Sequence, residues 1–127
     1  MRYLGIDYGT KRIGIALSDE EGEFAMPFIV LKNSINIIKE VVDIAKKNNI
    51  KEIVMGESKD YKGKANAILS ASLNFKKDIE EYGFVVHLEP EFMTSVNAER
   101  FQGKNDMIDA SAAALILQSF LDKNIFL

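Results

Sequence analysis

The hydrophobic period of the chain first changes near Ser34, and this change limits the possible folds more than any other feature. Before it, three short segments rich in Ile, Val, Leu, Phe and Tyr are separated by turn-forming clusters, at residues 2–9, 12–19 and 24–32. Such segments predict β-strands joined by tight hairpins. After it, Ile37, Val41 and Ala45 recur at helical spacing, and helical and extended segments then alternate along the chain.

Further strands and helices are predicted beyond this first helix. The strands cover residues 50–57 and 84–91, and the helices run from about Lys64 to Tyr82 and from Asp106 to Asp122, with a short helical turn near Ser95 to Phe101. Three hairpin-linked strands followed by crossover units indicate an α/β fold: a mixed five-stranded sheet, its first three strands antiparallel, flanked by helices. This is the ribonuclease H-like (RNase H-like) arrangement, although other five-stranded mixed sheets fit the same pattern.

Length and composition restrict the class of protein. A chain of 127 residues predicts a single domain spanning residues 1–127. It has no Cys, which excludes a disulfide framework, and its apolar runs are too short for a membrane span. We expect a cytoplasmic protein, since no secretory signal is visible. The net charge of -3 argues against a protein that coats nucleic acid by charge alone.

Asp7 lies at the end of the first predicted strand, on the same face as Tyr3 and Gly5. Alternation would place an apolar residue there, and a buried charge usually requires a metal, a cation or several hydrogen-bond donors. Gly5 and Gly9 on either side would let a ligand approach the backbone. The alternative is that Asp7 ends the strand and caps the following turn.

Glu89 and Glu91 form a second candidate position, near the carboxyl end of the fifth predicted strand, on one face with Val85 and His87. Ligands of open α/β sheets bind at this end of the strands. Pro90 indicates an edge or terminal position because it cannot donate to a sheet ladder. The alternative is two solvated glutamates, and the strand itself does not choose between the two residues.

Asp109 is a third candidate, one turn into the last helix. If that helix begins at Asp106, Asp109 shares a face with Ala113, Ile116 and Phe120, the side that should meet the sheet. Helix capping explains Asp106 fully. It explains Asp109 less well, because capping does not require the side that faces the core.

These three carboxylate positions are expected near one end of the same sheet. In a chain with no Cys and one His, such oxygen ligands suit Mg²⁺ or Mn²⁺ and are a poor match to zinc. A divalent ion would relieve the repulsion between the carboxylates and act as a Lewis acid in phosphodiester hydrolysis.

Three blocks of the sequence resemble the signature blocks of the YqgF family: LGIDYGTKRIGIALSD, EFMTSVNAERF and IDASAAALILQSFLD. The resemblance covers essentially the whole chain. It implies an RNase H-like nuclease that processes the 5′ end of pre-16S ribosomal RNA (rRNA) in ribosome biogenesis or resolves Holliday junctions. It also implies nucleic acid, and with it ribosomal particles, as partners.

The resemblance also implies an active site of Asp7, Glu91 and Asp109, which would be the Mg²⁺ or Mn²⁺ ligands. It thus chooses Glu91 over Glu89 and Asp109 over Asp106. The sequence departs from the family pattern at Pro90-Glu91-Phe92, in place of Asp-Glu-Arg, and at Gly56-Glu57-Ser58, in place of a Gly-Leu-Pro-like block. The metal ligands therefore match the family, while the substrate surface differs.

Basic residues of the predicted loops could neutralise the phosphates of a nucleic acid. Those near strand ends are Lys11, Arg12, Lys59, Lys62, Lys64, Arg100 and Lys104. The alternative for each of them is ordinary solvated surface.

The sequence thus predicts a metal-dependent endonuclease acting on structured nucleic acid, without a membrane role, as a monomer or homodimer. One alternative is a non-catalytic nucleic-acid-binding module of the same fold. Another is a phosphoryl-transfer ATPase, suggested by Asp7-Tyr8-Gly9-Thr10, although such enzymes close two domains over the nucleotide.

Overall fold

The computed structural model of the protein describes residues 1–57, 66–90 and 106–125, and of residues 66–68, 106–109, 124 and 125 it describes the backbone only. The described strands are β1 (Tyr3–Asp7), β2 (Arg12–Ser18), β3 (Ala25–Lys32), β4 (Glu52–Glu57) and β5 (Val85–Pro90). The described helices are α1 (Ile37–Lys47), α2 (Asn66–Glu80) and α3 (Asp106–Ile125). The helical turn predicted near Ser95 to Phe101 lies outside the described residues.

The strands form one mixed sheet in the order β3-β2-β1-β4-β5. The pairs β1–β2 and β2–β3 are antiparallel, and the pairs β1–β4 and β4–β5 are parallel. This confirms the predicted RNase H-like sheet with its three antiparallel first strands. Pro27 and Pro90 both lie in edge strands, where a missing N–H does not interrupt the ladder.

The two faces of the sheet bury different sets of apolar side chains. One face packs against α1 and α2, and its buried strand residues include Leu4, Ile6, Ile53 and Met55. The other face packs against α3 through a smaller cluster. Its members from the sheet and from α3 are Ala16, Val54, Ala113, Ile116, Leu117 and Leu121. Helices therefore pack on both faces of the sheet.

Helix α3 is rich in apolar residues but is not buried on all sides. Ala113 and Leu117 are fully buried, but Leu115 is 51% exposed on the outer side of the helix. No helix among the described residues is long and apolar enough to cross a membrane.

Gly83 follows α2 with φ of 95°, and its N–H donates to the Glu80 carbonyl, as expected of a helix stop.

Candidate active site

Asp7 is the last residue of β1 and is half-buried. Its neighbour Ile6 packs beneath α1 and α2, whereas Tyr3 packs against residues of α3. Because side chains alternate along a strand, Asp7 lies on the face that α3 covers. The carboxylate therefore stands at the carboxyl end of the central strand, on the side predicted from the alternation.

Gly5 lets α3 approach β1 closely. A Cβ atom at this position would lie 2.8 Å from the Cβ of Leu117 and 3.0 Å from the carbonyl oxygen of Ala113. The first distance is shorter than van der Waals contact allows, so the helix and the strand meet here because Gly5 has no side chain. Gly5 thus sets the height of α3 above the strand that ends in Asp7.

The direction of α3 brings its first turn toward the carboxyl end of β1. The ring of Phe120 lies 5.7 Å from that of Tyr3, and Ala113 lies over Gly5. Helix α3 therefore runs antiparallel to β1. A strand advances about 3.3 Å per residue and a helix about 1.5 Å. The last two residues of β1 thus correspond to about four residues of helix. Since Gly5 meets both Ala113 and Leu117, this spacing places the end of the strand level with about residues 109–113 of α3.

A buried glutamate, Glu89, lies on the same face two strands from Asp7. The register of β1, β4 and β5 places Gly56 between them. Glu89 is 3% exposed, and its Oε2 accepts hydrogen bonds from Ser119 Oγ at 2.8 Å and Lys123 Nζ at 2.6 Å. Both donors belong to α3, so Glu89 ties β5 to the C-terminal part of that helix. This packing role accounts for Glu89 without any ligand.

Replacing Lys123 by Met should lower the free energy of unfolding by about 1–3 kcal/mol, because it removes a charged donor from a buried carboxylate. The matched control is Lys76→Met. That change removes an exposed pair on α2, in which Lys76 Nζ lies 2.9 Å from Glu80 Oε2, and should cost about 0.5 kcal/mol or less. Urea unfolding followed by circular dichroism measures both, and equal losses would contradict the role given to Glu89.

Most of the other predicted site residues lie outside the described residues. These are Glu91, Lys59, Lys62, Lys64, Arg100 and Lys104. Asp109 is described as a backbone position in the first turn of α3. Of the predicted site, the structure thus places the side chains of Asp7, Lys11 and Arg12.

Lys11 and Arg12 are exposed at the hairpin turn that follows β1, at the same end of the sheet as Asp7. Asn33 braces this turn: its Nδ2 donates to the Gly9 carbonyl at 2.9 Å, and its backbone N–H donates to the Lys11 carbonyl at 2.9 Å. The turn is tight, since a Cβ at Gly9 would lie 2.5 Å from the Arg12 carbonyl oxygen. Sequence reasoning missed Asn33, because an Asn after a strand gives no signal of a contact 24 residues away.

Tyr8 is half-buried and packs against α2. Its ring lies 5.3 Å from that of Phe75 in α2. His87 forms a strand contact, with Nε2 2.6 Å from Glu52 Oε1 and its ring 4.9 Å from Phe120.

A second group of carboxylates, Asp19, Glu21 and Glu23, lies at the opposite end of the sheet, in the turn between β2 and β3. The Asp19 carboxylate accepts hydrogen bonds from the backbone N–H groups of Glu23, at 2.8 Å, and Phe24, at 3.2 Å. These bonds lower the pKa of Asp19. Glu21 and Glu23 are exposed, and Asp19 is half-buried. The hydrogen bonds of Asp19 close the turn, which accounts for the position of its carboxylate.

The donor set at the Asp7 end fits a hard divalent cation. Asp7 supplies carboxylate oxygens from a rigid strand, and Asp109 belongs to the first turn of α3. Oxygen ligands of this kind suit Mg²⁺ or Mn²⁺.

Comparison with known proteins gives one family. Residues 1–123 match the family model described as RuvX: Holliday junction resolvase. Curated relatives from Streptococcus pyogenes, of serotype M2 (strain MGAS10270) and serotype M5 (strain Manfredo), are 30% identical over 138 residues. The alignments cover 98% of this chain and 99% of each relative. Both relatives carry the name "Putative pre-16S rRNA nuclease".

Solved structures share the fold at low sequence identity. RuvC of Thermus thermophilus in complex with a Holliday junction substrate superposes with a TM-score of 0.66 at 15% identity, covering 98% of this chain and 96% of that one. The Holliday junction resolvase of fowlpox virus superposes with a TM-score of 0.59 at 14% identity, covering 97% and 99%. These likenesses establish the fold.

Proposed function

The chain belongs to the RuvX (YqgF) family of nucleases, and from this premise we propose that it is a metal-dependent endonuclease that hydrolyses phosphodiester bonds in structured nucleic acid. The observation that carries the proposal is the placement of Asp7. It stands at the carboxyl end of the central strand, beneath a helix held against that strand by Gly5. A carboxylate on a rigid element can hold a cation at a fixed position relative to a phosphate.

Asp7, Glu91 and Asp109 would hold Mg²⁺ or Mn²⁺. The bound ion would supply Lewis-acid stabilisation of the charge that develops on the scissile phosphate. The three residues come from β1, from the chain after β5 and from the first turn of α3, so their spacing depends on the packing of α3 on the sheet. The tie between Glu89 and α3 and the close approach at Gly5 both fix that packing.

The basic residues would bind and orient the nucleic acid. Lys11 and Arg12 lie on the turn that Asn33 braces, and the bracing lowers the entropy lost when their side chains bind phosphates. Lys59, Lys62, Lys64, Arg100 and Lys104 are proposed to extend this surface. Phosphate contacts of this kind position a substrate without reading its sequence.

The substrate that we propose is the 5′ region of pre-16S rRNA, since the curated relatives carry that name. The protein would then act in the cytoplasm, as one domain, on precursor ribosomal particles. The second candidate is a four-way DNA junction, favoured by the description of the family model. Both substrates are branched or folded nucleic acids, so the same metal site would serve either of them.

The test is a cleavage assay on three substrates: a pre-16S rRNA fragment with its 5′ extension, a four-way DNA junction and a linear duplex of matched length. Each is incubated with Mg²⁺, with Mn²⁺ and with chelator. We expect metal-dependent cleavage of the rRNA fragment and little of the linear duplex. Cleavage of the junction only would replace the proposed substrate with the second candidate. Binding that survives chelation, without cleavage of any substrate, would establish a non-catalytic module instead.

A further inference from the structure

Large apolar side chains are exposed along β3 and the residue before it. The exposed fractions are 65% for Phe24, 60% for Met26, 50% for Phe28 and 41% for Ile29. β3 is an edge strand, and the four residues lie within six consecutive positions. We call these four residues the β3 apolar surface. Contiguous exposed apolar residues of this size usually mark an interaction site.

Met26 and Ile29 of the β3 apolar surface lie on the side of the sheet against which α1 and α2 pack. Met26 pairs with Leu17 and Ile29 with Ile15, and Leu17 and Ile15 are buried in the core beneath α1 and α2. Directly paired residues of antiparallel strands point to the same side. The register shifts between these two pairs, which is how Met26 and Ile29, three residues apart, face the same side. The helices cover β2 on this side and leave β3 exposed.

The backbone of this edge is poorly suited to the addition of another strand. The N–H of Ala25 already donates to Gln118 Oε1 at 2.8 Å, and Pro27 has no N–H to donate. Edge strands blocked in this way resist strand-to-strand association. The surface therefore offers its side chains, and a partner would pack against the face of the sheet.

The two ends of β3 carry opposite charges. Glu20, Glu21 and Glu23 are exposed in the turn before β3. At the other end of the strand Lys32 is exposed. The apolar surface lies between the acidic end and the basic end.

We propose that the β3 apolar surface is the interface of a homodimer, in which a second copy of this chain packs face to face across a two-fold axis perpendicular to β3. This axis makes the two β3 strands antiparallel, so the acidic end of each copy meets the basic end of the other. A two-fold interface must be self-complementary, and an apolar centre between ends of opposite charge satisfies that condition. Asp7 faces the opposite side of the sheet, so pairing leaves both copies of the site accessible.

The first test is the molar mass of the full-length protein, measured by sedimentation equilibrium over a range of concentrations. We expect a monomer–dimer equilibrium that Met26→Lys weakens by at least about 10-fold, since it places a charge in the apolar centre. Phe24→Ser should weaken it similarly. The matched control is Leu115→Lys, which changes an exposed apolar residue on the outer side of α3 and should leave the equilibrium unchanged. Circular dichroism confirms that each variant folds.

The second test uses the charges. Glu23→Lys alone and Lys32→Glu alone should each weaken the dimer, because each brings like charges together at both ends of the interface. The two changes combined in one chain should restore it, since each end again meets its opposite. A protein that stays monomeric at all concentrations would overturn the proposal. So would a dimer that Leu115→Lys disrupts and Met26→Lys does not, or a double variant weaker than both single ones.

Discussion

Asp7→Asn is expected to reduce metal-dependent cleavage by at least about 100-fold, equivalent to about 2.7 kcal/mol of transition-state stabilisation. Asn keeps the size of the side chain and one of its oxygens, but it removes the negative charge that would hold the cation at the end of β1. The fold should be unaffected.

The measurement is the single-turnover cleavage rate on the substrate that the wild type cleaves, together with the shift in melting temperature caused by Mg²⁺ or Mn²⁺. The matched control is Asp43→Asn, which removes the same charge from an exposed position of α1 and should leave both unchanged. Equal rates for wild type and Asp7→Asn would exclude Asp7 as a metal ligand. If Asp7→Asn loses cleavage but Mg²⁺ or Mn²⁺ still shifts its melting temperature as in the wild type, Asp7 contributes to substrate binding and not to metal binding.

Gly5→Ala is expected to lower the free energy of unfolding by about 2–3 kcal/mol, and Gly5→Val by more. The added Cβ would lie 2.8 Å from the Leu117 Cβ and 3.0 Å from the Ala113 carbonyl oxygen. These atoms cannot rotate away, because both belong to the body of α3. The helix must therefore move away from the strand, and the contacts of α3 with the sheet on either side of Gly5 are lost at the same time. Proteins of this size are stable by only about 5–15 kcal/mol.

Gly83→Ala is the matched control for Gly5→Ala. Nothing lies within 4 Å of a Cβ at Gly83, and its cost arises from the positive φ of 95°. It should destabilise the protein by about 1 kcal/mol through backbone strain, without any effect on cleavage. Gly5→Ala should also slow cleavage, because the displaced helix carries Asp109. Urea unfolding and the cleavage rate measure the two effects, and a Gly5→Ala variant as stable as wild type would contradict the close approach.

The orientation of Asp7 and the order of the elements followed from local patterns. Alternation along a strand fixes which side chains share a face, whatever the rest of the chain does. The same holds for Tyr3 and Gly5, which lie on the face of Asp7, and for His87 and Glu89 in β5. The change of period near Ser34 predicted the position of α1, and the hairpin clusters predicted the antiparallel first strands.

The function of Glu89 could not be predicted from the strand that contains it. The pattern offered Glu89 and Glu91 as equals, and the contacts that distinguish Glu89 come from Ser119 and Lys123, 30 and 34 residues away. Asn33 and the turn that it braces are a similar case. Such contacts depend on which elements pack together, and no local pattern encodes that.

The sequence by itself determined the elements, the faces of the strands and the end of the sheet at which Asp7 lies, because these depend on backbone geometry over a few residues. Only the tertiary structure decided how closely α3 approaches β1 and which carboxylates are already bound by donors of the same chain. It also decided that β3 remains uncovered beyond α1 and α2. These properties arise from the packing of distant segments, where a single missing Cβ or a single donor sets the distance between two elements.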